Sequence, residues 1–428
     1  MSAFEKLIGY EHIKTELMQI CDMIHHRDIY KKLGANMPKG VLLTGGPGLG
    51  KTEMAKAFIK ESGLEAFTIR NNMNNDKFIE HIKETFENAK TNAPCIVFLD
   101  DLDKFGNEEG NHRSDSKEYV AVQAGIDEVK EAEVIVIATV NEEWKLPNSL
   151  LRAGRFDKRL VFDCPSDKDA ASIIKHYVSQ KNVSKELNYG DLTKMFSYIS
   201  CARLETIINE AAIIAGFQKK NEIGMEDFIS AVLKCNYHLS DALHTVDERE
   251  LKKTAMHEAG HAVLSEALSE GSVGLVSIMP NNRGEVEGFM HNCKAPDNYE
   301  HEIMIDIAGK AAVELFVSNT DESGAIDDLR KAQEIIRIVI SKGATRGYGH
   351  MDVTNKRSDK SWNPSDSFLA TSEAIVQAEL ERYTRLVKDI LIDQKEFAAK
   401  LSDALINKRT LLYSDIQRIK EECNTIAA

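Results

Sequence analysis

Through the first 165 residues, short apolar runs alternate with longer stretches in which apolar residues recur every three or four positions. "GVLLTG" (40–45), "AFTIR" (66–70), "CIVFLD" (95–100), "VIVIAT" (134–139) and "KRLVF" (158–162) have the length and β-branched or aromatic content of strands. Helical patterns fill the intervals. Such alternation predicts an α/β domain over residues 1–165, a parallel sheet with helices on both faces. From 166 to 240 the strand pattern stops. "DAASIIKHYVSQ", "RLETIINEAAIIAGFQ" and "MEDFISAVLK" predict a small helical domain, and "NYHLSDALHTV" (236–246) a connector. Residues 241–428 are predicted mainly helical, with one strand-rich insert at 273–292 and a polar loop at 347–367.

Composition narrows the class. Of 428 residues, 43% are hydrophobic and 29% charged, enough apolar side chains for two or three packed domains. Against 54 Lys and Arg stand 68 Asp and Glu, a net charge of −14. Sequence-independent nucleic-acid binding needs a basic surplus, so that class is disfavoured. Seven cysteines are scattered with no C-x-x-C pair, the pattern of reduced thiols in a cytosolic protein. No apolar run nears the ~20 residues of a membrane span, and "MSAFEKLIGYEH" lacks the form of a signal peptide. The expectation is a soluble, cytoplasmic chain, or a soluble fragment.

"GGPGLGKT" (45–52) follows a predicted strand and opens a predicted helix. That setting marks a P-loop, in which backbone N–H groups at a helix N-terminus wrap phosphate oxygens. Gly45, Pro47, Gly48 and Gly50 shape the loop, Lys51 reaches the terminal phosphates of ATP, and Thr52 ligates Mg²⁺. "CIVFLDDLD" (95–103) is a buried strand whose end delivers Asp100 toward the Mg²⁺ and Asp101 toward the attacking water. Asn141, after the fourth strand, can help place that water. Arg152 and Arg155 can reach the γ-phosphate held by a neighbouring copy, or can serve as surface ion pairs.

"KTAMHEAGHAVLSEAL" (253–268) holds H-e-x-x-H. On a helix, positions four apart share a face, so His257 and His261 can reach one ion, with Glu258 beside them as a proton acceptor. Two histidines on an ordinary helix give the same letters.

P-loop, "FLDDLD", Asn141 and "LPNSLLRAGRFDKRLVF", in this order, resemble an AAA+ ATPase. That module, a helical lid and then "HEAGH" together resemble the FtsH family of ATP-dependent zinc metalloproteases, over nearly the whole chain. "FEKLIGYEHIKTEL" is similar to the start of the family's module and implies that Gly9 and Tyr10 lie near the adenine. The resemblance implies a third zinc ligand within "SGAIDDLRKA" (323–332), where the frame selects Asp328 and Asp327 competes. Two His and one carboxylate leave a position for water, as a catalytic Zn²⁺ requires. Glu258 then takes the water's proton and returns it to the leaving amine. "GEVEGFMHN" (284–292) reads as an edge strand for an extended substrate, while His291, His301 and Glu302 read as surface residues.

The chain departs from the family in three places. Family members usually carry transmembrane segments before the AAA+ module, and few residues precede it here, as in a soluble relative or a truncated form. Asp101 stands where the family has Glu, one methylene shorter, which predicts slow ATP hydrolysis. The segment "RNNMNNDKFIEHIKETF" (70–86) lacks the aromatic–hydrophobic–glycine pore tripeptide; Met73 and Phe78 are its sizeable apolar residues, and Phe78 reads as core. The leading expectation is an α/β P-loop AAA+ module with a helical lid, followed by a mainly α-helical zinc metallopeptidase domain (1–165, 166–240 and 241–428). It would assemble as a homo-oligomeric, hexameric ring that degrades proteins or unfolded polypeptides, with adaptors choosing substrates. The alternative is a nucleotide-gated peptidase or chaperone-like assembly with weak ATP hydrolysis and no processive translocation.

Overall fold

The structure, a computed structural model, describes residues 2–71, 75–106, 116–165, 167–237, 247–280, 285–317, 325–341 and 366–427. Met73, most of the expected connector and nearly all of the expected polar loop lie outside these residues. The N-terminal half runs α1 (Glu11–His25), α2 (Arg27–Lys32), β1 (Gly40–Gly45), α3 (Lys51–Ser62), β2 (Glu65–Ile69), α4 (Asn75–Thr91), β3 (Cys95–Leu99), α5 (Lys117–Glu128), β4 (Val134–Val140) and β5 (Lys158–Phe162). Helices α6 (Asp167–Ser179), α7 (Tyr189–Met195), α8 (Cys201–Phe217) and α9 (Met225–Tyr237) follow. The remainder is α10 (Glu248–Leu268), β6 (Val273–Pro280), β7 (Val286–Asn292), α11 (Tyr299–Phe316), α12 (Ile326–Ser341), α13 (Asp366–Asp393), α14 (Lys395–Lys408), β8 (Thr410–Leu412) and α15 (Tyr413–Ala427). Two compact units result, Met1–Asn182 with Tyr198–Asn209, and Val183–Ser197 with Glu210–Ala428. No described helix is long and apolar enough to cross a membrane.

The first unit is a five-stranded parallel sheet in the order β2-β3-β4-β1-β5. Successive strand residues face opposite sides. Val41, Leu43, Ile96, Phe98, Ile135 and Ile137 therefore pack with Ile13 and Leu17 of α1 and Phe58 of α3. Their neighbours Leu42, Val97, Leu99, Val136 and Ala138 pack with Phe78 and Phe86 of α4 and Val122 of α5. Both faces are covered, which is why β3 and β4 read as unbroken apolar runs. Phe78 is buried and stands edge-on to Phe105 at 5.0 Å, as its core reading expected. All five strands point the same way, so the residues following β1, β3 and β4 converge at one sheet edge, where α/β sheets bind ligands.

The second unit is built around α10, whose buried positions run round much of its circumference. Its sequence lacks a polar stripe because α11, α14 and the sheet β7-β6-β8 enclose it. Gly260 sets the approach of α11. A Cβ there would lie 2.6 Å from Ala312 Cβ and 2.7 Å from the Ala308 carbonyl oxygen. The three-residue strand β8 was not legible between two helical patterns; it exists because Leu411 and Leu412 pair with Val276 and Leu275. At the far end of α10, buried Glu266 accepts N–H groups of Gly271 (2.9 Å) and Val273 (3.0 Å), the Gln417 amide (3.0 Å) and Lys420 Nζ (3.2 Å). Burial opposes the charged form, but these donors outweigh it and lower the Glu266 pKa. Gly260→Ala pushes α10 and α11 apart, and denaturation should show a loss of about 1–3 kcal/mol in this unit.

Candidate peptidase and nucleotide sites

The P-loop leaves β1 and turns into α3 through Gly48 (φ +75°) and Gly50 (φ +90°), backbone conformations that favour glycine. Lys51 Nζ donates to the carbonyls of Gly45 (2.7 Å) and Gly46 (2.6 Å) and to Asn141 Oδ1 (2.8 Å). Burial lowers the Lys51 pKa, against the pull of Asp103 and Asp101. Asp100 Oδ1 accepts the hydroxyls of Thr52 (2.9 Å) and Thr139 (2.8 Å). Lys51 and Asn141, and Thr52 and Asp100, are thus joined by hydrogen bonds in one cluster around the P-loop. Two of its members were missed. Thr139 is a strand residue with no motif, and Arg70, at the end of β2, forms an ion pair with Asp100 Oδ2.

Asp101 takes a left-handed backbone (φ +57°) as the chain leaves β3. Its carboxylate accepts Lys104 Nζ (2.7 Å) and Asn141 Nδ2 (3.3 Å). Tyr10 is buried, with its ring 5.0 Å from Phe162 and its hydroxyl donating to the Asp163 carbonyl at 3.0 Å. Gly9 has φ +78° and lies against Asp169. Arg155 is held within its own chain by both oxygens of Asp127 (3.2 and 2.7 Å) and by the Ser149 carbonyl (2.6 Å). Arg152 is exposed.

In the second unit, α10 and α12 bring His257, His261 and Asp328 together, with one potential ligand atom from each inside a 4.8 Å cluster. His257 Nε2 lies 3.2 Å from Asp328 Oδ2, His261 Nε2 lies 3.6 Å from it, and the two Nε2 atoms are 3.0 Å apart. His261 Nδ1 is 2.7 Å from the Ile305 carbonyl. A carbonyl only accepts, so Nδ1 carries the proton and the Nε2 lone pair of the neutral ring points into the cluster. Two imidazole nitrogens and a carboxylate oxygen facing one point form the donor set of a divalent metal such as zinc. Gly309 clears the approach, since a Cβ there would lie 2.5 Å from His261 Nε2 and 2.6 Å from His257 Nε2. Burial raises the Asp328 carboxyl, but its hydrogen bonds to His257 and His261 outweigh that and hold it well below the usual range. Asp327 instead turns outward to Arg330, at 2.5 Å.

These groups line a cleft of about 750 Å³ bounded by α10, α11, α12 and β7. Glu258 is buried beside the histidines, and burial raises its pKa while His261 and His257 pull it down. Its Cγ and Oε1 would be 2.4 and 2.5 Å from a Cβ on Gly288, so β7 can pass this close only with glycine there. β7 forms one edge of the described sheet. His291, expected on the surface, is half-buried with a hydrogen bond to the Ser197 backbone; burial pushes its pKa down. Glu302 is exposed. No sequence signal pointed to Gly288, Gly309 or the Ile305 carbonyl, which act only through contacts between elements. Asp328→Asn should weaken zinc binding by roughly 100-fold, whereas Asp327→Asn should leave it nearly unchanged; competition with a chelating dye reads both.

The ATPase family associated with various cellular activities (AAA) matches residues 41–164, and Peptidase family M41 matches residues 244–419. Among curated relatives, the ATP-dependent zinc metalloprotease FtsH of Leptotrichia buccalis is 30% identical, over 97% of this chain and 56% of the relative. That of Halothermothrix orenii is 31% identical, over 83% of this chain and 59% of the relative. That of Ruminiclostridium cellulolyticum is 30% identical, over 98% of this chain and 71% of the relative. The chain thus spans between about half and two thirds of the length of the first two of these relatives. With P-loop cluster, His–His–Asp cluster and matched relatives in agreement, the chain belongs to the FtsH family of ATP-dependent zinc metalloproteases.

Proposed function

We propose that the protein is an ATP-dependent zinc metalloendopeptidase that degrades proteins or unfolded polypeptides. The observation that carries this reading is the convergence of His257, His261 and Asp328, with Glu258 beside them, in a cleft flanked by the edge strand β7. In it, His257, His261 and Asp328 hold the metal. A bound Zn²⁺ supplies Lewis acidity, making a water molecule a better nucleophile and polarising the substrate carbonyl. Glu258 accepts the proton of the attacking water and passes it to the amine as the peptide C–N bond breaks. Its desolvated position makes it a stronger base than an exposed carboxylate. His261 keeps its orientation through the Ile305 carbonyl. β7 offers main-chain hydrogen bonds to an extended substrate.

In the nucleotide site, Gly45, Pro47, Gly48 and Gly50 cradle phosphates, Lys51 neutralises them, and Thr52 with Asp100 would hold Mg²⁺. Asp101 and Asn141 position water, and Gly9 and Tyr10 border the base. Arg152 is exposed and ready to serve a neighbouring copy, while Arg155 does so by leaving Asp127. The reading includes a homo-hexameric ring, the division 1–165, 166–240 and 241–428, and adaptors that select substrates. A cytoplasmic location is supported by seven scattered cysteines with no C-x-x-C pair.

A second reading, a nucleotide-gated peptidase with weak hydrolysis, is favoured by the short, left-handed Asp101 tied to Lys104 and by the ion pair of Arg70 with Asp100. Cleavage of an unfolded protein by the zinc-loaded enzyme separates the two, measured with ATP, with a non-hydrolysable analogue and without nucleotide. Glu258→Gln is the blank, expected to lose at least ~100-fold in rate. Cleavage only with ATP supports the first reading, equal cleavage with the analogue supports the second, and none above the blank removes both. Asp101→Glu should raise ATP turnover several-fold in a phosphate-release assay; an equal or lower rate would show that carboxylate reach does not limit hydrolysis.

A further inference from the structure

Asp306 lies on α11, one residue beyond the carbonyl that holds His261, and its side chain lines the same cleft. Three other acids of that cleft have cations of their own. Glu250 lies 3.9 Å from Lys253, Asp327 lies 2.5 Å from Arg330, and Asp328 lies 3.2 Å from Lys331. Asp306 is half-buried, and among the described residues its carboxylate has neither a hydrogen bond nor an ion pair. Lys331 acts on it electrostatically but is committed to Asp328. Burial pushes the Asp306 carboxyl up to about 6, with His261 and Lys331 pulling it down and Asp328 and Glu302 pushing it up. A desolvated carboxylate without a partner is costly unless a cation arrives to pair with it. Val286, Phe289, Met290 and Ile305 give this otherwise polar cleft an apolar patch, which suits the methylene stem of a long basic side chain.

We propose that Asp306 makes this cleft select substrates that carry a lysine or arginine next to the scissile bond. This rests on the endopeptidase reading. The carboxylate accepts a charge-assisted hydrogen bond from the substrate cation, while the stem packs on the apolar wall.

The test uses the zinc-loaded full chain and fluorogenic peptides that differ only in Lys, Leu or Glu at the residues flanking the cleaved bond. Fluorescence anisotropy of the same peptides on Glu258→Gln measures binding without cleavage. The Lys peptide should exceed the Leu peptide by on the order of tenfold in kcat/KM, and the Glu peptide should be poorest. Asp306→Asn should bring the Lys-to-Leu ratio close to one, and Asp306→Glu should keep Lys ahead. Zinc content and melting temperature of each variant show that the site is assembled. A wild-type ratio near one in both cleavage and binding overturns the proposal, as does a ratio that survives Asp306→Asn. Lys-selective binding that Asp306→Asn abolishes, without cleavage of any peptide, upholds the recognition site and overturns the endopeptidase reading alone.

Discussion

The close crossing of α10 and α11 is the constraint on which the second unit depends. Gly260 on one helix and Gly309 on the other leave no room for a Cβ at the contact. Because the helices come this near, the Ile305 carbonyl can reach His261 Nδ1 and fix which nitrogen faces Asp328. The same approach places Asp306 in the cleft. Packing, tautomer and charge are therefore set by one helix–helix distance. A bulkier residue at either glycine would disturb all three.

The two sites are built by different means. The nucleotide site sits where a parallel sheet collects the ends of its strands, so its residues come from short segments that each have a local signature. The metal site needs side chains from α10 and α12, which lie far apart in sequence and meet only through packing on a shared core. Within the nucleotide site, Asp101 is the departure with a visible cause. Aspartate tolerates a left-handed backbone better than most residues, because its short side chain can bond locally, and here it bonds Lys104 three residues on. Short reach and backbone conformation thus go together.

Legibility in the sequence follows from this difference. All five strands of the parallel sheet fall within a residue or so of where their apolar runs placed them; the central β1, β3 and β4 are covered on both faces, while β2 and β5 at the edges carry exposed positions. "GGPGLGKT" and "HEAGH" were readable because backbone geometry or helical period dictates their letters. Asp328 was reached through family resemblance, as no spacing rule links residues on different helices. Helix α7, strand β8, Arg70, Thr139 and Asp306 were not legible. The two elements are too short to show a period, and the three side chains are defined by neighbours distant along the chain.

The Glu266 network has a consequence for how the protein is made. This carboxylate is buried on the helix that carries the two histidines, yet two of its donors, Gln417 and Lys420, belong to α15, about 150 residues further along the chain. Strand β8, the other edge of the sheet β7-β6-β8, immediately precedes α15. As synthesis proceeds from the N-terminus, the parallel-sheet unit has all its residues long before Glu266 has all its donors. The second unit is thus completed after the parallel-sheet unit on the ribosome. A chain that lacks α15 leaves a buried charge half-paired, and α15 must be made before the Glu266 network is complete.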